Sequence, residues 1–321
     1  TNLFDRPEQT AEKPFRIYVR GLWLMFFLRS LMKADTMQSN GTKFIIRISM
    51  QPKELELFLS KLDQRKKVLD SHRPLAAVTA ASLRDKLALD WTYNSNAIEG
   101  NTLTLNETKV VIEDGITIGK KSLREHFEAL NHRDAILFVE DLVVKKADIN
   151  EWNIKNIHQL VYKNINDQEA GRYRNGNVII SGAGFTPPDY LQLPDQMQKL
   201  IEWYNNEGRQ LHPVDRAAQL HTRFVEIHPF ADGNGRTARL LLNLELMSNG
   251  YTPGIIRKED RLDYYAALDK ACVKRDYTDF TYMVGCAVAS SMDIYLQVIT
   301  GIKPEPLSSN SQDKDQPDLE L

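Results

Sequence analysis

Apolar residues recur at helical spacing over most of the chain after residue 52, so helices are the main element that the pattern predicts. Leu83, Leu87 and Trp91 lie four positions apart and predict a helix that runs toward Ser95. The same spacing predicts a helix over 215–227, with its apolar face at Ala217, Leu220, Phe224 and Ile227.

Two capping boxes mark further helix starts, at Thr104–Glu107 and at Ser122–Glu125. In each box a hydroxyl and a carboxylate three positions apart can satisfy backbone N–H groups that the helix leaves unpaired. Helices are also predicted over 152–165 and 193–205. The second box opens a long helix whose apolar face is predicted at Phe127, Leu130, Leu137 and Val144.

The run from Leu240 to Met247 is apolar nearly all round, which is typical of a buried central helix, and Asn249-Gly250 supplies its end. The exception to the helical pattern is a β-prone run at 177–180, followed by glycines and two prolines, which predicts a small β-hairpin over 178–188. The predicted fold class is therefore all-α with a small β-hairpin.

Composition and charge narrow the class of protein. The chain has 321 residues, of which 42% are hydrophobic and 26% charged, and this excludes wholesale disorder. A net charge of −2 argues against a dedicated nucleic-acid-binding protein. Two cysteines cannot build a disulfide framework; they favour a reducing, cytoplasmic compartment or are simply two buried thiols. The longest apolar stretch, Ile17–Leu28, is too short to cross a bilayer, so we expect a soluble protein with no membrane partner.

Composition also divides the chain into four parts. Residues 1–51 are predicted to be an N-terminal extension of uncertain order. Basic residues precede an apolar block there, as in a targeting segment, but no small-residue cleavage site follows, so we favour an accessory extension or residues upstream of a natural start at Met37 or Met50. Residues 52–100 are predicted to be N-terminal helices, and residues 101–300 a helical core. Residues 301–321 are predicted to be a disordered tail.

One twelve-residue stretch, His228–Arg239, concentrates the candidate chemistry. Gly233 and Gly235 let the backbone approach a ligand closely, and the stretch runs into a helix N-terminus, where N–H groups attract anions. Arg236 and Arg239 lie on one face of the first turn, against the preference of the helix dipole. Two cations placed there are understandable if phosphates neutralise them.

The same stretch holds a metal-ligand candidate and a base. Asp232 offers one hard oxygen, enough for Mg²⁺ when phosphates supply other ligands. His228 can accept a proton near neutral pH. Taken singly, each residue has an ordinary structural explanation, such as a tight turn, a core histidine or a surface ion pair. Their occurrence together favours a nucleotide site.

The stretch resembles the signature of Fic-domain proteins, H-P-F-x-D/E-G-N-G-R-x-x-R, at every fixed position. Gly171–Arg174 and Asp260–Tyr265 are similar to other segments of that family. The resemblance implies a Fic helical bundle with a hairpin flap. It also implies transfer of AMP from ATP, with Mg²⁺, to a Ser, Thr or Tyr hydroxyl of a target protein.

The resemblance further implies a role for each residue of the motif. His228 would deprotonate the attacking hydroxyl, and Asp232 would hold Mg²⁺. Asn234 and the N–H groups of Gly233 and Gly235 would bind the α-phosphate. Arg236 would bind the β-phosphate, and Arg239 the γ-phosphate. Relatives that transfer phosphate carry Lys in place of Gly235, so the resemblance favours AMP transfer.

Three weaker assignments come from the same resemblance. Tyr264 and Tyr265 would form the adenine side of the pocket, although aromatic residues at helical spacing are more often core. Cys272 stands where several family members carry Asn, which leaves the nucleotide preference open. The flap would pair with the backbone of the target through Val178, Ile179 and Ile180.

Ser95–Asn101 matches an inhibitory pattern, S/T-x-x-x-E-G/N, of Fic proteins in which the inhibitory segment precedes the core, called class II. Gly100 is a plausible helix end, which leaves Glu99 where the helix dipole disfavours a carboxylate and where it needs a cation. The resemblance nominates Arg239, and Ser95 belongs to the same inhibitory site. The pair would withhold Arg239 from the γ-phosphate. Some class II relatives also remove AMP, and this role for Glu99 stays open.

Two functions therefore remain in view. The first is an autoinhibited protein adenylyltransferase, with self-modification expected and a homodimer as an option. The second is a nucleotide-sensing regulatory module that binds a partner and seldom turns over. The sequence shows no convincing helix-turn-helix, so a nucleic-acid partner is not expected.

Overall fold

The computed structural model describes residues 50–307, which form ten α-helices and no β-strand. The helices are α1 (Pro52–Asp70), α2 (Ala77–Ile98), α3 (Leu105–Glu113), α4 (Leu123–Val144), α5 (Glu151–Tyr162), α6 (Leu193–Asn205), α7 (Pro213–Ile227), α8 (Asn234–Ser248), α9 (Arg261–Lys274) and α10 (Thr278–Thr300). The sequence segments 1–49 and 308–321, which include the apolar stretch Ile17–Leu28 and most of the predicted tail, lie outside the described residues.

The centre of the bundle is α8, as the sequence predicts. Five of its leucines have no exposed surface: Leu240, Leu241, Leu242, Leu244 and Leu246. Helix α7 packs along α8, and α4 and α5 cover other sides of it. The helix ends at Ser248, followed by Gly250 with a φ of +78°, so the predicted end at Asn249-Gly250 is confirmed.

Both predicted capping boxes are present, but the predicted buried face of α4 is wrong. Thr104 and Ser122 each accept a hydrogen bond from the backbone N–H three positions later. In α4, however, Leu130 and Val144 are exposed, the latter by 81%. The buried apolar residues are Ala129, Ala135, Ile136, Val139 and Leu142. Helix α4 packs against α2, α3, α5 and α8, and it buries polar side chains that a hydrophobic pattern cannot mark.

The predicted hairpin over 178–188 is absent, and this part of the predicted fold is corrected. Val178, Ile179 and Ile180 lie in a loop outside any strand, closed by one turn bond from the Ala183 N–H to the Ile180 carbonyl at 3.2 Å. A two-stranded hairpin is marginally stable by itself, and none of the described residues adds a third strand. Ile179 is 82% exposed.

Helix α10 is long and apolar enough to cross a membrane by length and composition alone, the one helix of residues 50–307 that meets this test. It is also a core helix, because it packs against α1, α7 and α9. Its residues with no exposed surface include Phe280, Val284, Val288 and Met292. Beyond it, the Glu305 carbonyl accepts a hydrogen bond from Arg65 at 2.5 Å, and Leu307 packs on the core.

Candidate active site

The stretch His228–Arg239 comprises the loop between α7 and α8 and the first turns of α8. His228 ends α7 in a left-handed conformation (φ 50°, ψ 58°), and Gly233 precedes α8 with a φ of +77°. The Asn234 side chain accepts from the Phe230 N–H at 3.0 Å and donates to the Phe230 carbonyl at 2.8 Å. The Asn234 side chain therefore closes the loop on itself directly before the first turn of α8, whose N–H groups have no partner within the helix.

His158 on α5 supports this loop, a role that sequence reasoning missed. Its Nδ1 accepts the Gly171 N–H at 2.9 Å, which leaves Nε2 to donate to the Asp232 carbonyl at 2.9 Å. The ring stacks on Phe230 with a centroid distance of 3.7 Å. Burial lowers the pKa of His158 to about 4, so the ring is neutral near pH 7. A lone histidine in a helical segment carries no sequence signal for such a role.

The imidazole of His228 is also neutral near pH 7. Burial lowers its pKa to about 4, the Val225 carbonyl opposes this effect, and the nearby Arg174 adds to it. Its Nδ1 is buried and has no hydrogen-bond partner of good geometry among residues 50–307. A neutral imidazole is the form that can accept a proton from a hydroxyl.

Arg174, at the end of the Gly171–Arg174 segment, binds both His228 and the loop over 176–188, which we call the flap loop. It is 5% exposed and donates to three carbonyls: His228 at 2.9 Å, Gly176 at 2.7 Å and Pro188 at 2.6 Å. The last two residues bracket the loop where the hairpin was predicted. One guanidinium therefore holds both ends of that loop against the backbone of the candidate base.

The guanidinium of Arg236 is buried, and two of its nitrogen atoms have no hydrogen-bond acceptor among the described residues. It is 2% exposed, and its Nε and Nη1 make no hydrogen bond to any described residue. The nearest carboxylate oxygens are those of Glu128 at 3.4 Å and Asp232 at 3.7 Å, contacts of charge rather than close hydrogen bonds. A buried guanidinium with unused N–H groups beside a helix N-terminus is suited to a phosphate.

Asp232 lies at the edge of the site with a side chain that is 37% exposed. Burial favours its neutral form, but Arg236 and Arg124 outweigh this and hold its pKa below the usual range, so it stays ionised. Among the residues that the structure describes, no group of three or more His, Cys, Asp or Glu could hold a metal ion. Asp232 therefore fits Mg²⁺ only as one ligand beside bound phosphates.

Arg239 is held by the segment that carries Glu99. Its Nη2 donates to the Glu99 carboxylate at 2.7 Å and to the Ser95 carbonyl at 2.8 Å, and its Nε donates to the Ser95 hydroxyl at 3.0 Å. Burial by itself lowers the pKa of Arg239, but Glu99 and Tyr264 raise it above its ordinary value. The contact expected from the sequence is therefore present, 140 residues apart in the chain.

Gly235 makes room for this contact. A Cβ atom at that position would overlap the Oε1 atom of Glu99. Glu99 itself follows the last residue of α2, Ile98, and Gly100 has a φ of +96°. The Glu99 carboxylate thus lies over the first turn of α8, where an anionic ligand would also be placed.

Tyr264, Tyr265 and Cys272, which the sequence predicts near the adenine side of the site, differ in exposure and in hydrogen bonding. Tyr264 is 1% exposed, accepts from Arg239 at 3.3 Å and lies 3.1 Å from His221, so it positions Arg239 from within the core. Tyr265 is half-buried, and its hydroxyl donates to the Ile98 carbonyl at 3.4 Å. Cys272 is buried in the core, and burial raises the pKa of its thiol to about 12.

Comparison with known proteins adds independent findings. The family model described as Fic/DOC family matches residues 148–246. A protein of Nematostella vectensis named protein adenylyltransferase Fic is 38% identical over 256 residues, 78% of this chain and 58% of that protein. A protein of the same name from Drosophila grimshawi is 33% identical over 312 residues, 92% of this chain and 63% of that protein. The chain thus spans less than two thirds of these relatives.

Two solved structures have similar folds. Fic-1 from C. elegans, residues 134–508, is 31% identical with a TM-score of 0.70, and the match covers 77% of this chain and 73% of that one. A Fic-domain-containing signalling protein from Bacteroides thetaiotaomicron is 29% identical with a TM-score of 0.70, over 79% of this chain and 99% of that one.

Proposed function

This chain belongs to the Fic/DOC family, and we propose that it is an autoinhibited protein adenylyltransferase, which moves AMP from ATP to a Ser, Thr or Tyr hydroxyl of a target protein. The observation that carries the proposal is the buried guanidinium of Arg236, which has unused donors in the first turn of α8, eight positions after a neutral His228. Curated relatives named protein adenylyltransferase Fic support the choice of reaction.

In the proposed reaction, His228 takes the proton of the target hydroxyl as its oxygen forms a bond to the α-phosphorus. The bond from that phosphorus to the bridging oxygen breaks, and pyrophosphate leaves. The N–H groups at the start of α8 and the guanidinium of Arg236 stabilise the charge that develops on the phosphates. Asp232 would hold Mg²⁺, which neutralises phosphate charge when it is bound.

Autoinhibition follows from the contacts of Arg239. While Glu99 and Ser95 hold this guanidinium, it is not available to a γ-phosphate, and ATP cannot adopt the productive position. Each 1.4 kcal/mol in favour of the closed pair lowers the productive population about tenfold. Glu99→Gly removes the carboxylate and should leave the remaining site intact.

The test is self-labelling with α-³²P-ATP and Mg²⁺. We expect weak labelling of the unsubstituted chain, labelling at least tenfold stronger for Glu99→Gly, and none for Glu99→Gly combined with His228→Ala. Glu99→Gln, which keeps the size of the side chain but not its charge, should lie between the first two.

Equal labelling of the unsubstituted chain and Glu99→Gly would contradict the autoinhibition. Nucleotide binding without label in every variant would instead support a nucleotide-sensing module that acts through a partner.

A further inference from the structure

Arg124, the second residue of α4, contacts the carboxylate of Asp232. Its Nη2 lies 2.5 Å from Oδ2 of Asp232, although the two residues are 108 positions apart in the chain. The other carboxylate oxygen, Oδ1, accepts the Gly233 N–H at 2.6 Å and lies 3.7 Å from Nη2 of Arg236. Both oxygens already accept from protein donors, so a divalent cation at Asp232 would compete with Arg124 for Oδ2.

The stability of α4 does not explain this position of Arg124. A cation in the first turn of a helix is disfavoured by the helix dipole, and the start of α4 is already capped by Ser122 and Glu125. The Arg124 side chain is 51% exposed, so water can solvate its charge without help from Asp232. The contact therefore acts on the Asp232 carboxylate and is not needed to stabilise α4.

The buried carboxylate of Glu128 holds Arg124 toward Asp232 and links it to the inhibitory segment, Ser95–Asn101. Oε1 of Glu128 accepts from Nε of Arg124 at 3.1 Å, and Oε2 accepts from the Asn101 side chain at 2.9 Å. The backbone carbonyl of Glu128 accepts from the Asn96 side chain at 3.1 Å. Asn96 and Asn101 lie on either side of Glu99, so one residue connects that segment to the arginine over the metal-ligand candidate.

We propose that Arg124 competes with the divalent cation for Asp232 and forms a second restraint, distinct from the Glu99–Arg239 pair. The proposal rests on the proposed function, because the cation in question accompanies the nucleotide. A divalent cation binds carboxylate oxygens strongly, and the half-exposed side chain of Arg124 can be solvated by water once it is displaced. Cation and nucleotide together release Arg124, whereas nucleotide alone leaves it on Asp232.

The test measures how much Mg²⁺ helps nucleotide binding, by calorimetric titration of a non-hydrolysable ATP analogue in Mg²⁺ and in EDTA. The Glu99→Gly background keeps Arg239 available. The ratio of the Kd in EDTA to the Kd in Mg²⁺ should rise about two- to fivefold on Arg124→Gln. This is the range expected for a half-exposed ion pair. The Kd in EDTA should stay unchanged. Asp232→Asn should remove the effect of Mg²⁺.

Lys120→Gln is the matched control, because it removes one positive charge four positions earlier from an exposed side chain. An unchanged ratio in Arg124→Gln, or an equal rise in Lys120→Gln, overturns the competition. Weaker binding of Arg124→Gln in EDTA assigns Arg124 to the phosphates and also overturns it. If no variant binds the analogue at all, the proposed function itself fails, and the competition fails with it.

Discussion

At the scale of single residues, the protonation of the site depends on burial. His228 sits in a left-handed conformation that residues other than glycine seldom adopt, between a helix end and a closed loop. The surrounding residues remove water from its ring and lower its pKa to about 4. The ring is therefore neutral over the whole physiological range of pH.

The labelling rate of Glu99→Gly should accordingly stay constant from pH 8 down to pH 5.5. A base with the ordinary histidine pKa of about 6.5 would be about tenfold less available at pH 5.5, whereas a base with a pKa of about 4 stays almost fully deprotonated. The rate is measured in initial velocities at each pH. A tenfold fall by pH 5.5 in folded protein would contradict the assigned protonation state.

Folding has to be followed in parallel, because the same burial acts on the free energy of unfolding. The folded-state pKa values of His158 and His228 are about 4, and the unfolded value is about 6.5. Between these values the unfolded chain binds more protons, so stability falls as the pH drops from about 6.5 toward 4. Circular dichroism at each pH separates this loss from an effect on the chemistry.

Residues of the motif could be assigned candidate roles from the sequence because they are close together in the chain. The supporting residues could not. His158 and Arg174 act through backbone carbonyls of the loop. Although Gly171–Arg174 resembles a family segment, no local pattern indicates which carbonyls either side chain reaches. Their contacts exist only after α5 and the flap loop are packed against the loop before α8.

At the scale of elements, the flap loop is held at both ends and at Gly184. Arg174 binds the carbonyls of Gly176 and Pro188, and the Gly184 N–H donates to Asp269 on α9 at 2.6 Å. Between these contacts Ile179 is 82% exposed. The docking of a target backbone as an added strand at 178–180, which the sequence predicts, stays a prediction.

Arg174→Lys should loosen this loop without weakening nucleotide binding. A lysine keeps the charge but cannot direct N–H groups at three carbonyls at once. We expect faster hydrogen exchange in peptides covering 175–189 and a several-fold lower self-labelling rate in the Glu99→Gly background. The Kd for nucleotide should change by less than about twofold, since none of the three bonds involves the phosphate-binding residues.

Arg172→Lys is the control for this variant, because Arg172 is exposed and lies only two positions earlier. It should leave both the exchange and the labelling unchanged. Slow exchange across 175–189 in Arg174→Lys would show that other contacts hold the loop.

Helix α4 shows the limit of pattern reasoning at this scale. Its start was predictable, because a capping box is a local arrangement of four residues. Its orientation was not, because the buried face includes His126, Asn131 and His132 beside small apolar residues. A helix packed on several sides buries whatever its partners can accommodate, so hydrophobicity alone selects the wrong face.

At the scale of the whole molecule, the inhibitory segment and the nucleotide site meet although Glu99 and Arg239 are 140 positions apart in the chain. Helix α2 packs against α4 and α8, and its C-terminal end brings Ser95 and Glu99 onto Arg239. Any ligand that needs Arg239 must therefore displace its contacts with Ser95 and Glu99. Binding and inhibition are coupled through one guanidinium.

Thermal unfolding with ADP and with ATP, each with Mg²⁺, should reveal this coupling. In Glu99→Gly, Arg239 can bind a γ-phosphate, so ATP should raise the Tm more than ADP does. A tenfold difference in Kd corresponds to about 1.4 kcal/mol, or roughly 3–5 °C for a domain of this size. In the unsubstituted chain the two nucleotides should raise the Tm equally.

His228→Ala in the same background is the control, because it removes the base and leaves the phosphate-binding residues in place. It should keep the difference between ATP and ADP, while Arg239→Gln should lose it. An equal response of Glu99→Gly to the two nucleotides would show that Arg239 does not bind the third phosphate.

The sequence by itself determined helices α2 to α8, the caps at Thr104 and Ser122 and the composition of the loop before α8, because these depend on residues within a few positions of one another. Tertiary structure alone decided which face of α4 is buried, that 178–180 form no strand, and that Arg124 lies on Asp232. These contacts join residues far apart in the chain, and their free energies depend on how the helices pack. Local spacing cannot encode that packing.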